Sequence, residues 1–201
     1  MSTLLKTEHL KKYYGKKKIV KAVDDVSLEI HAGSSMALIG ESGSGKTTFG
    51  HMLSQKTGHE MIDLDDYLVN RFNMSIPDMF AISEDYFRNN ETTCCKEVSE
   101  LEGKIISTGG GVIKRPENIA YLKKNGVVFY IDRPIEDIVK DVDPSGRPLL
   151  QDGPDKLYAL DKERRDKYMS SCDYHIINDG SLEKVINSIL DIMNNYNKSS
   201  L

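Results

Sequence analysis

Short apolar runs alternate with longer amphipathic runs along most of this chain. Five short runs are predicted strands, at residues 36–39, 60–64, 104–107, 127–131 and 174–177. Six longer runs are predicted helices, at residues 46–53, 83–101, 116–124, 135–142, 154–171 and 182–195. Strands separated by helices form parallel sheets, so the pattern predicts an α/β fold with three α/β/α layers around a five-stranded parallel sheet. The order of the strands in that sheet does not follow from the pattern.

A different pattern precedes residue 35. Residues 26–30 alternate apolar and polar side chains, as a half-buried strand does, and Ala32-Gly33 then interrupts the chain. Six lysines and no acidic residue lie between Lys11 and Lys21. This basic run fits the exposed tip of a hairpin, or contact with a membrane or a nucleic acid. We therefore predict a hairpin-like extension at residues 1–34 and a second domain at residues 35–201.

Composition narrows the class of protein. The 201 residues are 39% hydrophobic and 29% charged with a net charge of −4, which is typical of a globular protein and argues against nucleic acid as the main partner. No apolar run is long enough to span a membrane, and the first residues lack the apolar core of a secretion signal. Cys94, Cys95 and Cys172 have neither a disulfide framework nor zinc-binding spacing. We expect a cytoplasmic monomer without a membrane or nucleic-acid partner.

The strongest motif is GESGSGKT at residues 40–47, which matches GxxxxGK[ST] between a predicted strand and a predicted helix. Glycines in such a loop let backbone N–H groups surround phosphate oxygens, and the helix N-terminus adds partial positive charge. Lys46 is expected to contact the β- and γ-phosphates, and Thr47 to contact Mg²⁺. The predicted nucleotide-binding residues are Gly43, Ser44, Gly45, Lys46, Thr47 and Thr48. The motif predicts a nucleoside triphosphate but not the reaction.

Residues 4–50 resemble the start of an ABC-transporter ATPase domain. The resemblance rests on residues 10–14, residues 21–30 and the phosphate loop. It implies a β-hairpin before the loop, with Tyr14 stacked on adenine. The rest of the sequence has neither an LSGGQ-like signature nor four apolar residues followed by Asp-Glu. A transport ATPase is therefore not expected.

Residues 36–195 resemble shikimate kinase. The matching segments follow the loop in order, at residues 62–66, 75–80, 86–91, 107–112, 115–118 and 147–150, with Arg164 four residues before Tyr168. The resemblance implies that ATP, with Mg²⁺, phosphorylates the 3-hydroxyl of shikimate to give 3-phosphoshikimate and ADP, on the route to chorismate and aromatic amino acids. Alternatives are another P-loop small-molecule kinase, such as a gluconate kinase type, or a non-kinase ATPase module.

The same resemblance assigns roles around the acceptor. It implies that Asp65 binds the shikimate hydroxyls and accepts the proton, and that Asp63 faces the metal through water. We expect both aspartates at the end of a strand, with side chains on opposite faces. The alternative is that residues 63–66 only end the strand and cap the next helix. Arg88 and Arg164 would bind the carboxylate. A slip of one residue would replace Arg164 by Arg165.

Further segments complete the implied site. Gly109, Gly110 and Gly111 would form a backbone wall beside the acceptor ring, with Gly110 donating an N–H. Arg147 would belong to a lid and stabilise the transferring phosphate. Residues 178–181 resemble an adenine-binding loop. The segment before Arg88 is one residue shorter than the resemblance leads us to expect, and Glu91 is placed to contact Arg88 across one helical turn.

Overall fold

The computed structural model describes residues 3–14, 20–31, 34–141, 154–179 and 182–198. Side-chain positions are described within residues 34–141, 155–179 and 184–192. In chain order the strands are β1 (Thr3–Tyr14), β2 (Val20–His31), β3 (Ser35–Ile39), β4 (Met61–Asp63), β5 (Ile105–Ser107), β6 (Gly126–Asp132) and β7 (Tyr174–Ile177). The helices are α1 (Lys46–Thr57), α2 (Leu64–Phe72), α3 (Ile76–Ile82), α4 (Glu84–Ser99), α5 (Pro116–Lys124), α6 (Ile135–Asp141), α7 (Pro154–Ser171) and α8 (Leu182–Lys198).

Strands β3 to β7 form the predicted five-stranded sheet, in the order β4-β5-β3-β6-β7. All four neighbouring pairs in it are parallel. β3 lies in the centre, so the loop that follows it emerges between the carboxyl ends of β5 and β6. That position is where open parallel sheets bind ligands. The order brings segments from across the chain to one edge.

Two layers of apolar side chains cover the sheet, one on each face. Successive residues of β3 point to opposite faces. Ala37 and Ile39 pack in the cluster that includes side chains of α2 to α5 and α7. Met36 and Leu38 pack in the cluster that includes side chains of α1 and α8. Since β3 is buried on both faces, the three-layer prediction is confirmed.

All six predicted helices are present, but within the described ranges the pattern missed two further α-helices, α2 and α3. Both are short and begin at polar caps. The Asp63 carboxylate accepts from the Asp65 N–H at 3.0 Å, and the Ser75 hydroxyl accepts from the Asp78 N–H at 3.2 Å. Their capping residues were visible in the sequence, but their apolar repeats are too short to identify a helix.

The N-terminal hairpin is confirmed. β1 and β2 pair antiparallel from Thr3–His31 to Tyr14–Val20 and form a two-stranded sheet of their own. The hairpin backbone lies beside β7 and α8. The middle of the lysine run, at residues 15–19, lies outside the described residues. No helix in the described part of the chain combines the length and the apolar character needed to cross a membrane.

Candidate active site

The phosphate loop wraps around the ammonium group of its own lysine. Lys46 Nζ donates to the carbonyl oxygens of Gly40 at 2.8 Å and of Glu41 at 2.7 Å. Gly45 caps α1 with φ of 99°, and a Cβ there would lie 2.9 Å from the Phe49 ring. Only glycine satisfies both conditions. The loop thus holds a cation at the start of a helix, the arrangement that phosphate binding requires.

A group of oxygen atoms lies beside the loop. Thr47 Oγ1 donates to Asp63 Oδ2 at 3.0 Å and lies 3.2 Å from Ser107 Oγ. Ser107 is the last residue of β5, a position that the sequence did not mark as a ligand. Within the described ranges there is no group of three or more His, Cys, Asp or Glu residues able to hold a metal. These few oxygens suit Mg²⁺, which keeps several waters and binds substrate phosphates.

Asp65 lies in the first turn of α2, not in a strand. The prediction of two aspartates alternating along a strand is therefore wrong, because Asp63 caps a helix that begins at Leu64. The helix still separates the two carboxylates. Asp63 faces Thr47, whereas the Asp65 carboxylate lies against Gly109, where an added Cβ would be 2.9 Å from Asp65 Oδ1.

The surroundings of Asp65 make it a weaker acid than usual. Burial raises its pKa from 3.8 to about 6, with further contributions from the negative charges of Asp63 and Glu91. The Lys46 cation opposes this shift. A carboxylate with a pKa near 6 is ionised at neutral pH and accepts a proton more readily than an ordinary aspartate.

This pKa gives a pH prediction with opposite signs for activity and stability. Turnover that needs ionised Asp65 should fall as the pH drops through about 6. The stability contribution runs the other way. Since the folded-state pKa is raised, the folded protein binds the extra proton between 3.8 and about 6, and that contribution is lost as the pH rises through this window.

Asp65→Asn should therefore raise the melting temperature at pH 7 relative to the parent chain, and the difference should shrink toward pH 4. Thermal unfolding of both proteins across this range measures it. A difference in melting temperature that does not change with pH would contradict the raised pKa.

Arg88 is buried on α4 and held on several sides. Its Nη1 donates to Glu91 Oε2 at 2.7 Å, which confirms the predicted contact across one turn, and its Nε donates to Glu84 at 3.3 Å. Its guanidinium lies 4.9 Å from the centre of the Phe87 ring. A side chain at Gly111 would overlap the guanidinium. The Arg88 guanidinium therefore lies directly against the glycine segment.

Ser83 is the junction between the two helices that precede and contain Arg88. It ends α3 and also caps α4, where its hydroxyl accepts from the Tyr86 N–H at 3.0 Å. One residue therefore serves both helices.

Arg164 and Arg165 differ sharply in their environments. Arg164 is buried, and its Nη1 lies 3.3 Å from Glu41 Oε2. Arg165 is half-exposed and binds both oxygens of Asp132, at 3.1 and 2.5 Å. Arg164 is thus the arginine that faces the phosphate loop. A sequence signal for this existed, because Leu160 and Tyr168 flank Arg164 at the i−4 and i+4 positions of one helical face.

The three glycines lie between the predicted groups. Gly109 is next to Asp65 and Gly111 is next to Arg88. A Cβ at Gly110 would lie 3.2 Å from the Ser42 nitrogen, so this glycine is next to the phosphate loop. The Gly110 carbonyl accepts a hydrogen bond from the Tyr168 hydroxyl. The segment is a close-packed junction of backbone rather than a loose turn.

The structure describes some of the other predicted residues but not all of them. Arg147 and the side chain of Tyr14 lie outside the described residues, as do residues 180–181 of the implied adenine loop. Asn178 is buried, and its amide donates to the Ser44 carbonyl at 2.9 Å. Arg133 was not among the predicted residues, yet its Nη1 donates to the Gly43 carbonyl at 3.1 Å. Its position just after the end of β6 was the available signal.

Comparison with known proteins shows which family this chain is similar to. Residues 42–194 match the family model described as "Shikimate kinase". The chain is 42% identical over 158 residues to shikimate kinase of Clostridium botulinum strain Alaska E43, a match that covers 79% of this chain and 96% of that protein. It is 40% identical over 160 residues to the enzyme of Clostridium beijerinckii, covering 80% of this chain and 95% of that protein.

Solved structures show the same fold. Shikimate kinase from Acinetobacter baumannii, in complex with shikimate, superposes with a TM-score of 0.76 at 31% identity, over 82% of this chain and 94% of that one. The Aquifex aeolicus enzyme superposes with a TM-score of 0.70 at 34% identity, over 80% of this chain and 96% of that one. The fold is therefore that of P-loop NTPases. The resemblance of residues 4–50 to ABC ATPases gains no support from these comparisons and stays a prediction.

Proposed function

Because this chain belongs to the shikimate kinase family, we propose that it transfers the γ-phosphoryl group of ATP to the 3-hydroxyl of shikimate. One observation carries the proposal. The Asp65 carboxylate and the Arg88 guanidinium lie against residues 109–111, and the Arg164 guanidinium lies beside the phosphate loop. Phosphoryl transfer needs this combination of a phosphate cradle, a proton acceptor and groups that position the acceptor.

The nucleotide would lie along the phosphate loop. Backbone N–H groups of residues 43–48 would donate to the phosphates, and Lys46 would exchange its loop carbonyls for phosphate oxygens. Thr47 directly, and Asp63 through water, would hold Mg²⁺, which supplies neutralising charge on the β- and γ-phosphates. Arg133 and Asn178 would support the loop from the ends of β6 and β7.

The acceptor hydroxyl would lie beside Asp65. Its oxygen forms the new bond to the γ-phosphorus while the bond from that phosphorus to the bridging oxygen of ADP breaks. The hydroxyl proton passes to the Asp65 carboxylate, and ADP leaves with its terminal phosphate oxygen. Asp65 suits the role because burial and neighbouring carboxylates raise the pKa of its carboxyl to about 6.

The carboxylate of the acceptor would be bound by Arg88 and Arg164. Arginine presents two parallel N–H donors that match a carboxylate. Both guanidinium groups are almost fully buried, with side-chain exposures of 6% and 3%. Burial strengthens such charge-assisted bonds and penalises an acceptor that lacks the negative charge. This would select a carboxylated ring over a neutral sugar.

The neighbouring arginines provide a matched pair of substitutions. Arg164→Leu should raise the KM for shikimate by about tenfold to a hundredfold, since a hydrogen bond to a charged group is lost in a buried site. Arg165→Leu breaks the pair with Asp132 and should lower the melting temperature while leaving the KM for shikimate nearly unchanged. Steady-state kinetics on both variants measures this. An equal effect of both on KM would contradict the assignment of Arg164.

The proposal also covers the domain division, the roles of Arg147 and Tyr14, and the state of the enzyme in the cell. Residues 1–34 would be a separate extension and residues 35–201 the kinase domain, which agrees with β1 and β2 forming their own sheet. Arg147 would close over the phosphates, and Tyr14 would stack on adenine. The enzyme would act as a cytoplasmic monomer without nucleic-acid or membrane partners. Cys94, Cys95 and Cys172 are free thiols in the structure.

An assay of ADP release with ATP and Mg²⁺ tests the function directly. Shikimate-dependent release is expected, with little release when gluconate replaces shikimate. Release that depends on gluconate instead would favour the other kinase type. Release that is independent of any acceptor would favour an ATPase module.

A further inference from the structure

The second residue of the phosphate loop is a buried carboxylate. Glu41 follows Gly40, and its side chain is only 5% exposed. Negative charge at this place disfavours the binding of a nucleotide phosphate, which is itself anionic. Burial raises the pKa of Glu41, although the nearby cations of Arg164 and Lys46 act in the opposite direction. An acidic side chain does not help a phosphate loop to bind its anion, so the placement of Glu41 indicates a different role.

The partner of Glu41 lies far away in sequence, on α7. Glu41 Oε2 accepts from Arg164 Nη1 at 3.3 Å. The other two buried nitrogens of this guanidinium, Nε and Nη2, have no hydrogen-bond partner among the described residues. Nε and Nη2 form one edge of the guanidinium, and this edge donates two parallel hydrogen bonds to a carboxylate. Glu41 therefore occupies one corner of Arg164 and leaves the carboxylate-binding edge available.

The backbone of Glu41 is tied to the nucleotide side of the site. Its carbonyl oxygen accepts from Lys46 Nζ at 2.7 Å. On the other side, the Tyr168 hydroxyl, one turn beyond Arg164, donates to the Gly110 carbonyl. A Cβ on Gly110 would lie 3.5 Å from Glu41 Oε2. The Glu41 side chain thus connects the phosphate loop to Arg164 of α7, and its carboxylate lies close to Gly110.

We propose that Glu41 is a positioning residue for the acceptor, which fixes the Arg164 guanidinium so that its Nε and Nη2 edge faces the acceptor carboxylate. The inference rests on the proposed function, since it requires Arg164 to bind that carboxylate. It assigns to the phosphate loop a part in recognising the acceptor as well as the nucleotide. A carboxylate that instead competed with the acceptor for the Arg164 cation would weaken acceptor binding, so its removal would lower the KM for shikimate.

Two substitutions in the full chain separate these effects. Glu41→Leu removes the acceptor of the Arg164 hydrogen bond and should raise the KM for shikimate about tenfold, with kcat and the KM for ATP within about threefold of the parent. Glu41→Gln keeps an oxygen that accepts from Nη1 but loses the charge, and should raise the KM for shikimate only about threefold. Glu97→Gln is the matched control, because Glu97 pairs with Arg71 at 3.2 Å and contacts none of these groups.

A double substitution supplies the readout that a merely structural role would not produce. Arg164→Lys replaces the fork by a single ammonium, so adding Glu41→Leu to it should have little further effect on the KM for shikimate. If the fold-changes in the KM for shikimate caused by the two substitutions multiply instead, Glu41 does not act through Arg164. An unchanged or lowered KM for shikimate in either Glu41 variant would also overturn the proposal. So would an equal rise in the KM for ATP, which indicates a distorted loop.

The same assays distinguish a failure of the proposed kinase function from a failure of the role given to Glu41. If the parent chain shows no shikimate-dependent ADP release, the proposed function falls, and the role of Glu41 falls with it. If the parent chain does turn over shikimate and the Glu41 variants match Glu97→Gln, only the role of Glu41 falls.

Discussion

Asp65→Asn is expected to lower kcat for shikimate phosphorylation by about a hundredfold to ten-thousandfold, the range that removal of a general base produces. Asparagine has nearly the same shape but cannot take the proton that leaves the acceptor hydroxyl. The nucleotide should still bind with near-parental affinity, because Asp65 contacts Gly109 rather than the phosphate loop. Stopped turnover with retained ATP binding is therefore the expected result, measured by ADP release and by nucleotide titration.

Asp66 supplies the control for this substitution. It is the next residue of α2 and is exposed to solvent. Asp66→Asn removes the same charge from the same helical turn, so kcat should stay within about twofold of the parent, as for surface substitutions away from special features. Turnover of Asp65→Asn close to that of Asp66→Asn would remove Asp65 from the proposed role.

Lys46→Met is expected to lower kcat/KM for ATP by about a hundredfold to a thousandfold, comparable to the loss of one preorganised group that stabilises transition-state charge. Lys46 is buried and points into the loop, where its ammonium bonds to the carbonyls of Gly40 and Glu41. Methionine keeps the length of the side chain but leaves the phosphates without that cation. Unlike Asp65→Asn, this variant should also bind nucleotide more weakly.

Lys56, in the last turn of the same helix, is the matched control for Lys46. It is exposed, so Lys56→Met should leave kcat/KM nearly unchanged. Thermal unfolding of both variants shows whether the fold is kept. Near-parental kcat/KM for a folded Lys46→Met protein would contradict the role given to the lysine, and equal losses in both variants would indicate a general effect of charge.

Together the two substitutions divide the site into its chemical parts. Lys46 belongs to the nucleotide side and Asp65 to the acceptor side, although the charge of Lys46 also lowers the pKa of Asp65. The double variant should therefore lose less than the product of the single losses, because residues that act as a unit are not additive. Glu41 would add a third link, since its backbone contacts Lys46 and its side chain contacts Arg164.

The sequence by itself determined those parts of the protein that depend on neighbouring residues. The phosphate loop was recognisable because its strand, glycines, lysine and helix are contiguous, and because one helix N-terminus supplies most of its donors. The period of apolar residues predicted the five strands and six of the helices for the same reason. Glu91 could be assigned to Arg88 because both lie on one turn of a single helix.

Only the tertiary structure decided what distant segments do together. It supplied the strand order, which sets β5 and β6 beside β3. It placed Asp65 in a helix, because a cap by Asp63 outweighed the expected extension of the strand. It distinguished Arg164 from Arg165, which lie within seven consecutive charged residues, 161–167, because it shows Arg164 beside Glu41 and Arg165 bound to Asp132.

The pair of Glu41 and Arg164 is a contact that could not be predicted from the sequence. The two residues are 123 positions apart, and the residues around each of them do not predict that the two side chains pair. A buried ion pair depends on which surfaces meet across a sheet, and a buried carboxylate in a phosphate loop contradicts the local expectation for an anion-binding motif. The loop motif alone identified a nucleotide site. The packing of α7 against that loop is what makes Glu41 a candidate for selecting the acceptor.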